Sequence, residues 1–379
     1  MSVNRSLITP TSNPLLEQAL LEKLQRRSEA TGSLGELVPV AVRLGLMQNS
    51  LKPRFRDPQI VVFAADHGLA VEGLAAPARR QTHEQVNQLL TGQMPVSVFA
   101  RIQGIELSVV DCGVSKVLTP HERLIARKIA YGTRNARLGP AMTLDQAHAG
   151  IRAGMEIGDT LRGNMVVCAG VGVGSHESAA LVLSRLTRSP IRDLILSGPH
   201  MNPDHLSHLL VVVQGAQGRH RDTSDAVEVL AAFGGFEIAV MVGVMLVAAS
   251  KRHLIMVDGM AGCAALMVAS RIAAAVTDYC VFCRSHGHRG LDQALSLFRA
   301  TALLELGMES ADGTGATLAW PLVRSSAALL TEVAEGEDPG PSQPGAMHPA
   351  QDEGAQQHTA LGGASDFLAN VPDAPAKPA

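Results

Sequence analysis

Asp312 lies in the run Ser310-Ala311-Asp312-Gly313-Thr314-Gly315-Ala316, which leads directly into the apolar stretch TLAWPLV. A carboxylate set among small residues is reachable by a bound substrate and shielded enough to act as a general base. The same spacing suits a helix N-cap, whose side-chain oxygen accepts from backbone N–H groups two or three residues on. The residues alone leave both roles open. Pro321 is expected in the first turns of the following helix, where its missing N–H costs little.

A second candidate is the loop Ala169-Gly170-Val171-Gly172-Val173-Gly174-Ser175-His176, between an apolar run and a helical stretch. Glycines opening a helix leave backbone N–H groups and the positive end of the helix dipole facing an anion. Gly172 and Gly174 would cradle a phosphate and Ser175 would donate to it, while the charge of Glu177 at the same helix start opposes this. The spacing is neither a dinucleotide fingerprint nor a P-loop. A plain strand-to-helix turn is the alternative.

Further polar turns follow other apolar runs: Ala65-Asp66-His67-Gly68, Asp258-Gly259 and Ser285-His286-Gly287-His288. Asp66 and His67 suit a polar ligand or a proton shuttle, or simply a capped turn. No second histidine or carboxylate follows at metal-binding spacing, so no metal site is expected. A loop histidine such as His286 ordinarily serves as a solvated or capping residue. Cys280 and Cys283 form a C-x-x-C without a second pair, inside an apolar, strand-like run, which suits buried thiols better than zinc or redox chemistry.

These turns have to be positioned by a regular scaffold. Short apolar runs at Ile60–Ala64, Leu107–Val110, Met165–Cys168, Leu194–Leu196 and Leu254–Val257 read as strands. Helical stretches follow at Met142–Arg162, Leu206–Val213, Ile238–Ala249 and Leu291–Leu306. Alternating strands and helices, with strands apolar on both faces, predict an α/β fold: a Rossmann-like parallel sheet flanked by helices. In such sheets ligands bind beyond the carboxyl ends of the strands, where the polar turns stand. Asn13 and Pro14 predict a helix start before LLEQALLEKLQRR, with Leu16, Leu20, Leu21 and Leu24 on one stripe.

The chain has 379 residues, 32 Lys+Arg against 35 Asp+Glu, and a formal net charge of -3. That balance lacks the basic face of a nucleic-acid or membrane-surface protein. Aromatics at 3% argue against base-stacking platforms and ring-lined carbohydrate clefts. Apolar runs are interrupted before about 18 residues, so no membrane span is expected. Five scattered cysteines and an N-terminus without a signal-peptide core predict a cytoplasmic protein. The expected organisation is a flexible arm (1–12), N-terminal helices (13–50), an α/β domain (51–300), C-terminal helices (301–335) and a disordered Pro/Gly-rich tail (336–379), whose removal should leave folding intact.

Together, the blocks TGSLGELV, AADHGLAVEG, GTRNARLGPAMT, FGGFEIAVMVGVMLVAA, MVDG and DGTGATLAWP resemble the nicotinate-nucleotide–dimethylbenzimidazole phosphoribosyltransferase family, from Thr31 to about Glu335. Gly132-Thr-Arg-Asn135 and Gly234-Gly-Phe-Glu237 are the most specific. The resemblance implies a parallel α/β domain, a small helical domain drawn from both chain ends, and usually a homodimer; a heterodimer with a sibling chain is the other pairing. It implies transfer of phosphoribose from nicotinate mononucleotide to a benzimidazole-type base, in the assembly of the cobalamin nucleotide loop, without metal or organic cofactor. Asp312 falls where the family places the glutamate that takes the base's proton. Gly172, Gly174, Ser175, Gly198, Gly313 and Gly315 fall on the nucleotide side, and Gln85 in the base pocket.

The chain departs from the family at several of these places. Asp312 is one methylene shorter than glutamate, Gly170 replaces a loop glutamate, Ser175 an asparagine and Glu177 a threonine. Pro77 replaces a residue that is polar in some members, and Ser197-Gly198-Pro199-His200 keeps one glycine of a richer turn. These changes imply an altered base preference. They also leave a second possibility, a non-catalytic partner or binding subunit that keeps the scaffold without turnover.

Overall fold

The computed structural model describes residues 8–74, 80–196, 201–285, 289–308, 310 and 312–334. The expected arm is described only from residue 8, and the expected tail, Pro77, Gly198 and His286 lie outside the described residues. Among the described residues, seven strands form one all-parallel sheet in the order β3-β2-β1-β4-β5-β6-β7. They are β1 (Gln59–Ala65), β2 (Glu106–Gly113), β3 (Leu124–Ala126), β4 (Met165–Val171), β5 (Leu254–Val257), β6 (Cys280–Ser285) and β7 (Ala302–Glu305). The central strands β1, β4 and β5 are almost wholly buried, as continuous apolar runs covered on both faces must be.

Before β1 come α1 (Pro14–Thr31) and α2 (Leu37–Gln48). Asn13 caps α1 as expected: its Oδ1 accepts from Leu16 N at 3.2 Å, with Pro14 in the first turn. Leu20 and Leu24 are buried but Leu21 is 47% exposed, so the apolar stripe is narrower than the sequence suggests. Between β1 and β2 lie α3 (Thr82–Leu90) and α4 (Pro95–Gln103), and between β3 and β4 lies α5 (Leu144–Thr160). The long crossover from β4 to β5 carries α6 (Ser175–Thr187), α7 (Ile191–Ile195), α8 (Pro203–Arg219), α9 (Ala226–Phe233) and α10 (Phe236–Ser250). Then follow α11 (Gly259–Ile272), α12 (Arg289–Leu297) and α13 (Thr314–Thr331).

Three expectations need correction. Leu194–Leu196 is not a strand; Leu194 and Ile195 end α7, and Ile191, Leu194 and Ile195 are buried at helical i, i+3, i+4 spacing. Leu291–Leu306 is not one helix; Arg299 in the left-handed region breaks it, and Ala302–Glu305 becomes β7 on the sheet edge. Pro321 sits mid-way along α13, not in its first turns. There it removes one helical hydrogen bond, which the buried face of Ala316, Trp320, Val323 and Ala327 outweighs.

Helices α1, α2 and α13 meet. Leu20 and Leu24 of α1, Ala41 and Val42 of α2, and Leu329 and Leu330 of α13 form a second apolar cluster beside the main core, and Arg27 donates to Leu329 O. On the sheet, α10 is buried nearly all round and lies against α5. A Cβ on Gly154 would stand 1.9 Å from Val240 O, so only glycine lets these helices close to this distance. That contact fixes the start of α10, where Glu237 projects. Among the described residues no helix is long and apolar enough to cross a membrane.

Candidate functional site

Strand order reverses between β1 and β4, because the chain builds β2 and β3 on one side of β1 and returns to its other side for β4. The carboxyl ends of such a pair form the crevice where doubly wound sheets take their ligands. Asp66, His67 and Gly68 leave β1 there, and Gly172 to Ser175 leave β4. A Cβ on Gly172 would meet Ala65 O at 1.9 Å, so the loop crosses the end of β1 only because that side chain is missing. Gly174 has φ +89° and precedes the first turn of α6.

Beneath this loop lies a closed polar cluster. His67 Nε2 and Glu237 Oε1 are 2.8 Å apart, both side chains fully buried. Ser175 Oγ donates to the same carboxylate oxygen at 2.8 Å, and Ser178 Oγ lies 2.8 Å from His67 Nδ1. Burial pulls the His67 pKa down, but the charge and hydrogen bond of Glu237 outweigh it and leave it raised. As an imidazolium, both ring nitrogens donate, one to Glu237 and one to Ser178. The Ser175 hydroxyl is thus turned inward, toward Glu237.

Asp66 ties the neighbouring segments together. It accepts from Thr82 Oγ1 and from Ser115 N (2.7 Å), while Thr82 Oγ1 accepts from Val173 N at 3.1 Å. Thr133 N donates to Asp66 O and Gly68 N to Thr133 Oγ1. A Cβ on Gly68 would stand 2.5 Å from the Arg134 carbonyl carbon. The GTRN segment is therefore the surface on which the β1 turn rests. Asn135 and Arg137 also hold Glu72, at 2.6 and 2.7 Å, and depress its pKa.

Asp312 stands just before α13 and is 4% exposed. Its Oδ1 accepts from Thr314 N (3.1 Å), Thr314 Oγ1 (2.5 Å) and Ser310 Oγ. Its Oδ2 is buried without a hydrogen-bond partner. Asp312 is therefore not the N-cap residue, which is Gly313; it holds the first turn of α13 through Oδ1, and its other carboxylate oxygen stays buried. Gly313, at φ +98°, allows the turn between Asp312 and the helix. Asp258, after β5, accepts from Arg284 Nε at 2.6 Å and from Ala316 N at 3.2 Å. Burial raises its pKa against the pull of Arg284, and the charge of Asp312 adds to the rise.

Gln85 is half-buried on α3 and donates to Arg80 O at 2.9 Å. Gly315 packs on Arg284, whose Cδ a Cβ would meet at 2.5 Å. Residues to which the sequence assigns no role take part in both clusters: Glu237, Ser178 and Thr82 beside the end of β1, and Arg284 beside Asp258 and Asp312. The signals were a lone carboxylate opening an otherwise apolar helix and a lone cation in an apolar strand. All five cysteines are buried and free, and burial pushes the Cys263 and Cys280 thiols up to about 12. Among the described residues no three His, Cys, Asp or Glu side chains gather as a metal site would need. An open cavity of about 760 Å³ near Arg188, Met267, Arg271 and Phe298 lies at the carboxyl-terminal ends of α6, α11 and α12 and is lined by no residue of either cluster.

Comparison with known proteins agrees with this architecture. A family model described as phosphoribosyltransferase matches residues 9–340. The nicotinate-nucleotide–dimethylbenzimidazole phosphoribosyltransferase of Cupriavidus taiwanensis is 40% identical over 328 residues, covering 85% of this chain and 95% of its own. That of Dechloromonas aromatica is 39% identical over 333 residues, covering 86% and 96%. The crystal structure of the Thermus thermophilus enzyme of the same name superposes with a TM-score of 0.81 at 27% identity, over 88% of this chain and 100% of its own.

Proposed function

The chain belongs to the nicotinate-nucleotide–dimethylbenzimidazole phosphoribosyltransferase family, and on that premise we propose that it moves phosphoribose from nicotinate mononucleotide to a benzimidazole-type base. One ring nitrogen of the base attacks the anomeric carbon, the bond to nicotinate breaks, and the other ring nitrogen gives up its proton. The nicotinate ring linked through its nitrogen is a positively charged pyridinium and leaves readily, so the protein must mainly position the two partners and accept one proton.

The observation that carries this reading is Asp312. Three donors hold Oδ1, while Oδ2 is buried with no partner. A buried carboxylate oxygen without a donor is costly to keep; Glu237 Oε2 shares this state, but its carboxylate is already paired with His67. An incoming N–H would satisfy Asp312 Oδ2 and then be deprotonated by it. The anchoring also compensates in part for the shorter side chain, since a fixed carboxylate needs no reorganisation on binding. Gly172 and Gly174, with Gly313 and Gly315, are our candidates for the nucleotide side and Gln85 for the base side; Asp66, His67 and Asp258 stand at the carboxyl ends of β1 and β5, and the Ser175 hydroxyl is held by Glu237.

We place the reaction in the cytoplasm, a reading supported by five free, buried cysteines, and in a pair of chains, supported by the family resemblance. The test follows nicotinate release from nicotinate mononucleotide with a panel of benzimidazoles, purines and phenolics. Base-dependent release supports the proposal. No release with any base, and no nucleotide-induced thermal shift, contradicts it.

A further inference from the structure

We propose that Arg284 is the positioning residue for Asp312: its guanidinium fastens the segment before α13 to the carboxyl ends of β5 and β6 and so sets where Asp312 Oδ2 points. The inference rests on the transferase reading of Asp312 and deepens it.

The side chain of Arg284 is 3% exposed, and a buried guanidinium stays charged, so it must be paired. It is paired in three directions. Nε donates to Asp258 Oδ1 at 2.6 Å, one terminal nitrogen to Met308 O and the other to Ser310 O. Both carbonyls belong to the stretch between β7 and α13, four and two residues before Asp312. Ser310 then donates through its hydroxyl to Asp312 Oδ1. Two hydrogen bonds therefore connect the guanidinium to the carboxylate.

The start of α13 closes over the same group. Gly315 lies so near that an added Cβ would be 2.5 Å from Arg284 Cδ and 3.0 Å from Asp258 Oδ2. Ala316 N donates to Asp258 Oδ2 at 3.2 Å. Asp258 thus holds Arg284 with one oxygen and the first turn of α13 with the other. Strand β6, strand β5, the segment before α13 and the helix itself all converge on one planar cation. Lysine cannot fully replace it, because one ammonium on a flexible stem does not reach a carboxylate and two carbonyls in a fixed fork. For a base one methylene short, small errors of placement matter: a shift of about 1 Å costs about 100-fold in rate.

The experiment compares Arg284→Gln, Arg284→Lys and Arg284→Ala with the wild-type chain by nicotinate-release kinetics and by amide hydrogen exchange. Expected are a kcat reduced by about 100-fold with KM for nicotinate mononucleotide little changed, smaller loss in Arg284→Lys, and partial recovery of Arg284→Ala by added guanidinium. Exchange should quicken in residues 306–314 and stay as in the wild type elsewhere. Should Arg284→Gln fail to fold, Arg284→Lys, which keeps the charge opposite Asp258, carries both readouts. Unchanged kcat, or unchanged exchange in 306–314, overturns the inference, as does a loss of kcat accompanied by faster exchange throughout the chain. A wild-type chain that releases no nicotinate overturns the transferase reading, and the exchange of 306–314 then decides by itself whether Arg284 holds the segment.

Discussion

Glu237 Oε1 lies 2.8 Å from His67 Nε2, joining the first turn of α10 to the end of β1 inside the protein, with no solvent at either side chain. Two serines of α6 complete the cluster, so three segments that are distant in sequence meet at one ion pair. Removing one partner of a buried pair leaves the other charge uncompensated, at a cost of about 3–5 kcal/mol. Glu237→Gln is therefore expected to lower the denaturant midpoint strongly, with little change in the slope. A midpoint within error of the wild type would contradict a buried, charged pair.

The same pair makes stability depend on pH. The folded state raises the His67 pKa above its ordinary 6.5, so it binds the proton more tightly than the unfolded chain. Its contribution is complete below about 6.5 and is lost as pH rises through the raised value. Thermal melts across this range should show the gap between wild type and His67→Gln narrowing as pH increases. A gap that widens with pH would reverse the sign of the argument.

Gly172 carries the loop across the end of β1. In Gly172→Ala the new methyl meets backbone rather than a movable side chain, so the loop itself has to shift. Nucleotide binding should weaken at least tenfold by calorimetry, while far-ultraviolet circular dichroism stays close to that of the wild type. Unaltered affinity would place the nucleotide elsewhere.

Burial of all five thiols, with Cys263 and Cys280 raised to about 12, leaves almost no thiolate at neutral pH. A thiol reagent should label the native protein slowly and all five cysteines rapidly in denaturant. Fast native labelling of any one would contradict its place in the core.

The strands β1, β2, β4 and β5 are legible in the sequence because each is a short, largely apolar run ended by a polar or glycine-bearing turn. β7 is not, since ALLE reads equally well as helix and only the break at Arg299 and pairing with β6 decide it. α7 is misread for the same reason: three apolar residues carry no period. At the site, Asp312 and the glycines are visible as residues out of place in an apolar context. The partners that orient them are not, because Glu237 and Arg284 reach His67 and Ser310 only through the crossing of β1, β4, β5 and β6. That Gly313 rather than Asp312 is the N-cap of α13, and that only one Asp312 oxygen is held by donors, likewise depends on which atoms face which donors.

The most direct test of the account is nicotinate release by Asp312→Asn, beside Asp312→Glu. The asparagine keeps the Oδ1 contacts and the shape of the site but removes the proton acceptor. Base-dependent release is expected to fall by about 100-fold or more in Asp312→Asn, with nucleotide affinity retained, and Asp312→Glu is expected to equal or exceed the wild type because its reach is longer. Release by Asp312→Asn at the wild-type rate would mean that the proton goes elsewhere, and the central claim would fall.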